Sequence, residues 1–499
     1  MTVRLCPGKY AAHWLGDNSA SWDDMKMATP AILAFNLFGS LMVGADICGF
    51  AGDTDPELCT RWMQLGAWYP FSRNHNAKGA LSQEPYALGE TVLRASKHAL
   101  DARMALVLYF YNLFHQAATQ GGTVARPLSF EFPDDTATWG IDDQFMVGPA
   151  FLISPVLEAG AERLEVYFPG GGADTVWYDY WTGKRAVFSD SRRLSLAVPL
   201  GAPMPVHVRG GQIVPRQPGG MTTAATVAQP IDLLVVLPRL AAVDCGDVVA
   251  TGELYLDDGE TVLDQAAAAH VSFAASWKME AYQEVCVAGG RPLGLTMAAT
   301  EFQADAVVPD VATITVLGLE CPPGDVTVGG QAATATWYAD LGKAVIDVPA
   351  GMPCAAISLD YTCGSWGSYT LSEAQDAARL DPRTDLQGLL TFVPNEQVVY
   401  GALAPISPLT VHVAAMSDPD TMRVRVFDPN DARWEVPGIV QEDVPGTTPA
   451  AEAADRVIEP SHLELQFVAD GFTLSVRRWG GSPPSHSISS LVSPHNLQG

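Results

Sequence analysis

Over the first 125 residues, apolar positions recur at helical spacing and are interrupted by short apolar runs that end in polar residues. Thr29-Pro30 predicts the start of an apolar helix through Phe38, with Gly39 as its stop, since Pro favours helix starts and Gly helix ends. Leu41 to Ala45 reads as a short strand ending at Asp46. Leu93, Leu100, Met104, Leu108 and Tyr111 mark one face of a long amphipathic helix over about 90–120. This succession of helix, strand and loop predicts part of a (β/α) barrel, whose functional residues lie where strands end.

From about residue 126 the period changes. Runs such as Ala150–Val156, Leu164–Phe168 and Ile231–Leu237 are short, strand-like and punctuated by Gly, Pro and Asp. They predict two all-β modules, 126–220 and 221–367. The loosely patterned stretch 368–395 reads as a linker. Leu409–Val413, Met422–Phe427 and Phe472–Val476 then predict a further β domain over 396–480, and the Gly- and Pro-rich tail 481–499 reads as disordered.

A length of 499 residues calls for several domains, and 48% hydrophobic residues suffice for real cores. The net charge of −27 repels phosphate, which argues against nucleic acid and anionic membranes and suits a neutral ligand such as a sugar. Acidity for solubility alone explains the charge equally well. No apolar stretch is long enough for a transmembrane helix, and the first ten residues lack the apolar core of a signal peptide. Eight cysteines in this length do not make a disulfide scaffold, although Cys48 and Cys59 could close a small loop. Neither Cys-x-x-Cys nor His-Glu-x-x-His occurs, so no zinc site is expected, and there is no Asn-x-Ser/Thr glycosylation acceptor.

Three polar segments follow successive apolar runs. In His13-Trp14-Leu15-Gly16-Asp17-Asn18, a carboxyl group lies near an indole in a Gly-containing turn. Desolvation there would raise its pKa, as a general acid at neutral pH requires, although an Asp capping the next helix is the commoner meaning. Asp46 ends a strand. Arg73-Asn74-His75-Asn76 follows Trp68-Tyr69-Pro70-Phe71 and offers several donors and acceptors for hydroxyl groups; a structural role for His75 is the plainer alternative. Asp23-Asp24 and Asp134-Asp135 read as solvated turns. Asp257-Asp258-Gly259-Glu260 lacks the ligand spacing of a calcium loop and reads as a plain turn.

Residues 8–139 resemble α-glucosidases of glycoside hydrolase family 31, of the lysosomal acid and intestinal maltase/sucrase type. The resemblance rests on Tyr10-Ala11-Ala12-His13-Trp14-Leu15-Gly16-Asp17, Val43-Gly44-Ala45-Asp46-Ile47-Cys48-Gly49-Phe50 and Phe71-Ser72-Arg73-Asn74-His75-Asn76. Gln83-Glu84-Pro85-Tyr86 and Thr123-Val124-Ala125-Arg126-Pro127 follow in the same order. It implies an α/β plus all-β chain, with the C-terminal part of a (β/α)8 barrel followed by β-sandwich domains. It also implies retaining hydrolysis of terminal α-linked glucose, on an α-glucoside or malto-oligosaccharide, with no metal or organic cofactor. Asp17 would be the acid/base; Trp14, Asp46, Phe50 and His75 would line the sugar subsite; Cys48 and Cys59 would form a disulfide. Such a bridge fits secretory or lysosomal passage, which neither a leader nor a glycosylation acceptor supports here.

One part of the family's machinery is missing from the sequence. A retaining enzyme needs a second carboxylate about 5–5.5 Å from the acid, which this family carries in a Trp-x-Asp-Met-Asn-Glu-like segment; no such segment occurs. A pocket arginine implied before Asp17 would fall at Met1, so the chain is expected to begin inside the barrel and to be inactive alone. A non-catalytic carbohydrate-binding or structural fragment is the alternative. Near the other end, Arg423–Pro437, Leu463–Phe467 and Phe472–Arg478 resemble the start of the family's N-terminal β-sandwich, so a second module is expected to begin at 396–480; an unrelated carbohydrate-binding sandwich is the rival reading.

Overall fold

Ser21 opens the first long helix, α1 (Trp22–Leu37), with its hydroxyl accepting from Asp24 N at 3.2 Å and Asp23 and Asp24 in the first turn. The helix therefore begins well before Thr29-Pro30, and Asp23-Asp24 is a helix start rather than a solvated turn. Pro30 lies inside it. Its missing N–H leaves the carbonyl of Lys26 without a helical partner, but Lys26 is exposed, so water can satisfy that group.

The computed structural model describes Gly8, residues 11–170, 175–189, 191–238, 248–261, 268–279, 281–282, 285–286, 292–304, 308–319 and 321–363, and the strands 369–372, 386–392, 409–415, 422–427, 463–468 and 473–478. The chain divides into two units, Met1–Gly364 and Ser365–Gly499. Among the described residues no helix is long and apolar enough to cross a membrane.

In the first unit, β1 (His13–Trp14) pairs in parallel with β2 (Val43–Gly44), and β3 (Asp46–Ile47) pairs in parallel with β4 (Arg73–Asn74). Helix α1 connects β1 to β2, and α2 (Pro56–Gly66) connects β3 to β4. Asp55 caps α2 through the N–H groups of Glu57 and Leu58, and Pro56 occupies the first turn, where its missing N–H costs nothing. Nearly all of α2 is buried, including Arg61, whose guanidinium donates to the carbonyls of Val198 (2.6 Å) and Ala161 (3.2 Å).

The expected long helix is two: α3 (Glu90–Ala105) and α4 (Val107–Thr119). They break at Leu106, where the carbonyl of Ala105 accepts from Gln217 N (3.0 Å). The buried face of α3 is Val92, Ala95, Ser96, Ala99 and Ala102; Leu93 and Tyr111, expected on the core face, are exposed. Small residues there let α3 approach closely, which the spacing of large apolar residues misplaces.

Beyond α4 come β5 (Ala125–Arg126), β6 (Phe145–Val147), β7 (Phe151–Ile153), β8 (Arg163–Tyr167), β9 (Trp177–Asp179), β10 (Arg193–Ala197) and β11 (Val206–Arg209). They form a five-stranded sheet ordered β5-β6-β7-β11-β9 and the antiparallel pair β8–β10. The sheet packs against the α/β region through Trp68, Phe151 and Tyr180. After Gly210-Gly211 the chain enters an eleven-stranded sheet containing β12 (Gln212–Arg216), β13 (Ile231–Val236), β14 (Val248–Leu256) and β15 (Ala269–Met279). Its core includes Phe273, Trp277, Ile314 and Tyr361. A disulfide joins Cys321 to Cys363, which the scattered cysteine spacing did not suggest. Asp135 is not a solvated turn either: it accepts from Tyr167 Oη, Gly170 N and Arg192 Nη1.

The second unit contains a four-stranded antiparallel sheet of Tyr369–Ser372, Leu386–Phe392, Leu409–Ala415 and Met422–Phe427, and an antiparallel pair, Leu463–Val468 with Thr473–Arg478. The stretch expected as a linker thus holds two strands; Leu-Leu-Thr-Phe at 389–392 is strand-forming sequence hidden beside an Asp- and Ala-rich run. The expected tail 481–499 lies outside the described residues.

Candidate functional site

The loops leaving β1, β3 and β4 meet. Asn18 fastens the first two through a reciprocal pair: its Nδ2 donates to Asp46 O (2.9 Å) and its Oδ1 accepts from Asp46 N (3.0 Å). Phe50 N and Ala51 N both donate to Asn18 O. The approach is close enough to require glycine. A Cβ on Gly49, whose φ is +92°, would lie 2.2 Å from Ala20 Cα. Cys48 also takes a left-handed backbone (φ 71°), an unfavourable state for a residue with a Cβ, and its disulfide to Cys59 of α2 helps to hold it there.

Gln83 gathers the third loop. Its Nε2 faces Asn74 Oδ1 (3.0 Å) and the carbonyls of Ile47, Gly49 and His75 (3.2 Å each), while Asn74 Nδ2 donates to Gln83 O (2.9 Å). Asn76 Nδ2 donates to Leu81 O. Of the four polar residues at 73–76, Asn74 and Asn76 therefore build the loop and Arg73 is engaged with Asp46; only His75 is left exposed.

Asp46 is fully buried. Its Oδ1 accepts from Arg73 Nε (2.7 Å) and Arg73 Nη2, and its Oδ2 has no hydrogen-bond partner among the described residues. Burial pushes its pKa upward; the Arg73 guanidinium and the His75 charge oppose this without prevailing, and the Asp17 charge adds to it. Asp17 and His75 thus act electrostatically on the same buried carboxylate. Arg73 lies over the rings of Trp14 and Phe71, 5.6 Å from each centroid, and Phe50 packs on His75 at 5.3 Å. The structure brings Trp14, Asp17, Asp46, Phe50 and His75 to one end of the strands.

Asp17 itself is exposed and makes no hydrogen bond or salt bridge among the described residues, and Trp14 is 44% exposed. The desolvation expected of a carboxyl near this indole is therefore not supplied by the described residues. Nor does Asp17 cap α1, since Ser21 does. Neither Asn18 nor Gln83 is marked out by residue type, and Arg73, expected among the hydroxyl binders, instead holds Asp46. An Asn two residues after the turn at Gly16, just before the helix-capping Ser21, was the available signal for Asn18.

Comparison with known proteins gives this cluster a context. Residues 5–113 match the glycosyl hydrolases family 31 TIM-barrel domain, and residues 121–214 match the glycosyl hydrolase family 31 C-terminal domain. The chain belongs to glycoside hydrolase family 31. It is 40% identical over 362 residues to an uncharacterized family 31 glucosidase of Schizosaccharomyces pombe, covering 72% of this chain and 33% of the relative. It is 44% identical over 287 residues to the lysosomal alpha-glucosidase of Mus musculus, covering 54% of this chain and 29% of that protein. The crystal structure of an alpha3-Glc2-bound glucosidase II alpha subunit superposes with a TM-score of 0.57 at 26% identity, covering 71% of this chain and 38% of that one. The chain thus spans about a third of the length of the curated relatives it matches. All the residues of the cluster fall within the family 31 barrel match, and β6, β7 and β11 fall within the C-terminal-domain match.

Proposed function

We propose that the chain carries the acid/base half of a retaining α-glucosidase site, acting on terminal α-linked glucose in an α-glucoside or malto-oligosaccharide. The carrying observation is the convergence of Trp14, Asp17, Asp46, Phe50 and His75 at the ends of β1, β3 and β4, since barrel enzymes assemble their sites from several strand ends. Asp17 protonates the glycosidic oxygen and later activates water. Trp14 and Phe50 offer ring faces to the apolar side of the sugar. His75, the exposed member, takes hydroxyl groups, while the fully buried Asp46 holds Arg73 at the wall of the sugar subsite.

The attacking carboxylate comes from outside these residues, because no Trp-x-Asp-Met-Asn-Glu-like segment occurs within them. In this reading the β regions expected at 126–220 and 221–367 are proximal and distal β-sandwich domains that divide at Gly210-Gly211, and the second family 31-like module expected at 396–480 starts earlier, with the sheet that includes Tyr369–Ser372. An aryl α-glucoside assay tests the site. Residues 1–499 alone should give no turnover, and an in-frame longer chain containing the nucleophile segment should hydrolyse the substrate with retention. Turnover by the 499-residue chain, abolished by Asp17→Asn, would contradict the missing-nucleophile reading. An extended chain that binds malto-oligosaccharide without turnover would instead be a sugar-binding module.

A further inference from the structure

A cleft of about 350 Å³ opens on the β region, lined by Glu131, Asp134, Asp135, Arg192 and Arg209 among others. That volume is within the range of small-molecule sites, roughly 300–1,000 Å³. The charges in it are fixed. Glu131 accepts from Arg126 Nη1 and, at 3.4 Å, from Arg209 Nη1, while Arg209 lies 4.6 Å over the Phe132 ring. Asp135 holds Arg192 Nη1 at 3.0 Å and accepts from Tyr167 Oη and Gly170 N. Each guanidinium has five N–H donors, and each carboxylate about four acceptor positions, so these links leave hydrogen-bonding capacity for a guest.

Beside the cleft stands Trp139. It is 69% exposed, yet its indole N–H is tied to the carbonyl of Pro133, a cleft residue, at 3.2 Å. A large apolar side chain held upright in water gains nothing from burial; here its orientation is set by a hydrogen bond and its faces are left open. With Arg126 paired to Glu131, three carboxylates (Glu131, Asp134, Asp135) meet three guanidiniums (Arg126, Arg192, Arg209), so the cleft is close to neutral and offers no excess charge to an anionic guest. Rigid donors and acceptors beside an open ring face match a neutral polyhydroxylated ligand.

We propose that this cleft and Trp139 form a second oligosaccharide-binding site, separate from the Asp17–Asp46–His75 cluster and independent of whether Asp17 is the catalytic acid. The site holds a sugar ring against the indole and directs its hydroxyls to Asp134, Asp135 and Arg192. Titration of the 499-residue chain with maltoheptaose tests this, in parent and Trp14→Ala backgrounds. Binding should persist in Trp14→Ala and weaken at least tenfold on adding Trp139→Ala. Asp134→Ala, another exposed change, should weaken it severalfold, with unchanged unfolding midpoints for both. The proposal is overturned if the Trp14→Ala chain does not bind maltoheptaose, or if neither Trp139→Ala nor Asp134→Ala alters its affinity.

Discussion

His207 should make the first unit sensitive to mild acid, and the effect has a definite size. It sits on β11 between β7 and β9, 2% exposed, with the Phe168 ring edge-on at 4.7 Å and its Nδ1 without a partner among the described residues. Burial pulls its pKa down to about 4, and the nearby Asp179 charge only partly offsets this. In the unfolded chain a histidine titrates near 6.5. The unfolded state therefore binds a proton that the folded state refuses, and stability falls as pH drops below about 6.5, levelling off below about 4. At 1.36 kcal/mol per pKa unit the full loss is about 3 kcal/mol, with about 2 kcal/mol already gone at pH 5. Against a total stability of roughly 5–15 kcal/mol this is a large share. Urea unfolding followed by tryptophan fluorescence at pH 7 and pH 5 measures it. His207→Gln, which cannot titrate, should lose about 2 kcal/mol less than the parent across that interval. Equal losses would refute the claim that His207 is buried in its neutral form.

Two further changes probe how the site is held. Cys48→Ala/Cys59→Ala should cost about 3 kcal/mol by freeing an unfolded-state loop of this short span, read as a lower urea midpoint; an unchanged midpoint would mean the bridge constrains nothing. Gln83→Glu should destabilise by several kcal/mol and more than Gln83→Met, because it points an acceptor at three carbonyls and Asn74 Oδ1. The reverse ranking in a denaturant series would remove Gln83 as the organiser of the β3 and β4 ends.

Where local chemistry decided the outcome, the sequence was legible. Asp17 follows strand β1 as expected, but Asp46 opens β3 instead of ending a strand, and the apolar run Trp68–Phe71 is a turn with Arg73–Asn74 themselves forming β4; the segments still meet, through Asn18, Arg73 and Gln83. The errors share a cause: tertiary partners that no local pattern announces. Pro30 is the exception: it lies inside a helix because the carbonyl it leaves unpaired, that of exposed Lys26, can be satisfied by water. The 90–120 helix breaks where Gln217, more than a hundred residues away, takes the carbonyl of Ala105. Asp135 looked solvated because Tyr167 and Arg192 are distant in sequence. Asn18 and Gln83 carry the loop architecture through hydrogen bonds to backbone atoms, a role that residue type alone does not distinguish from surface polarity.

The most direct test of Asp17 is the dependence of the Asp17→Asn defect on the leaving group, measured in an active, extended chain. General acid catalysis is worth about 10²–10⁴-fold, and an activated aryloxide departs with little need of a proton. Asp17→Asn should therefore depress kcat/KM for maltose far more than for a dinitrophenyl α-glucoside. Equal depression of both would contradict the assignment of Asp17 as the acid.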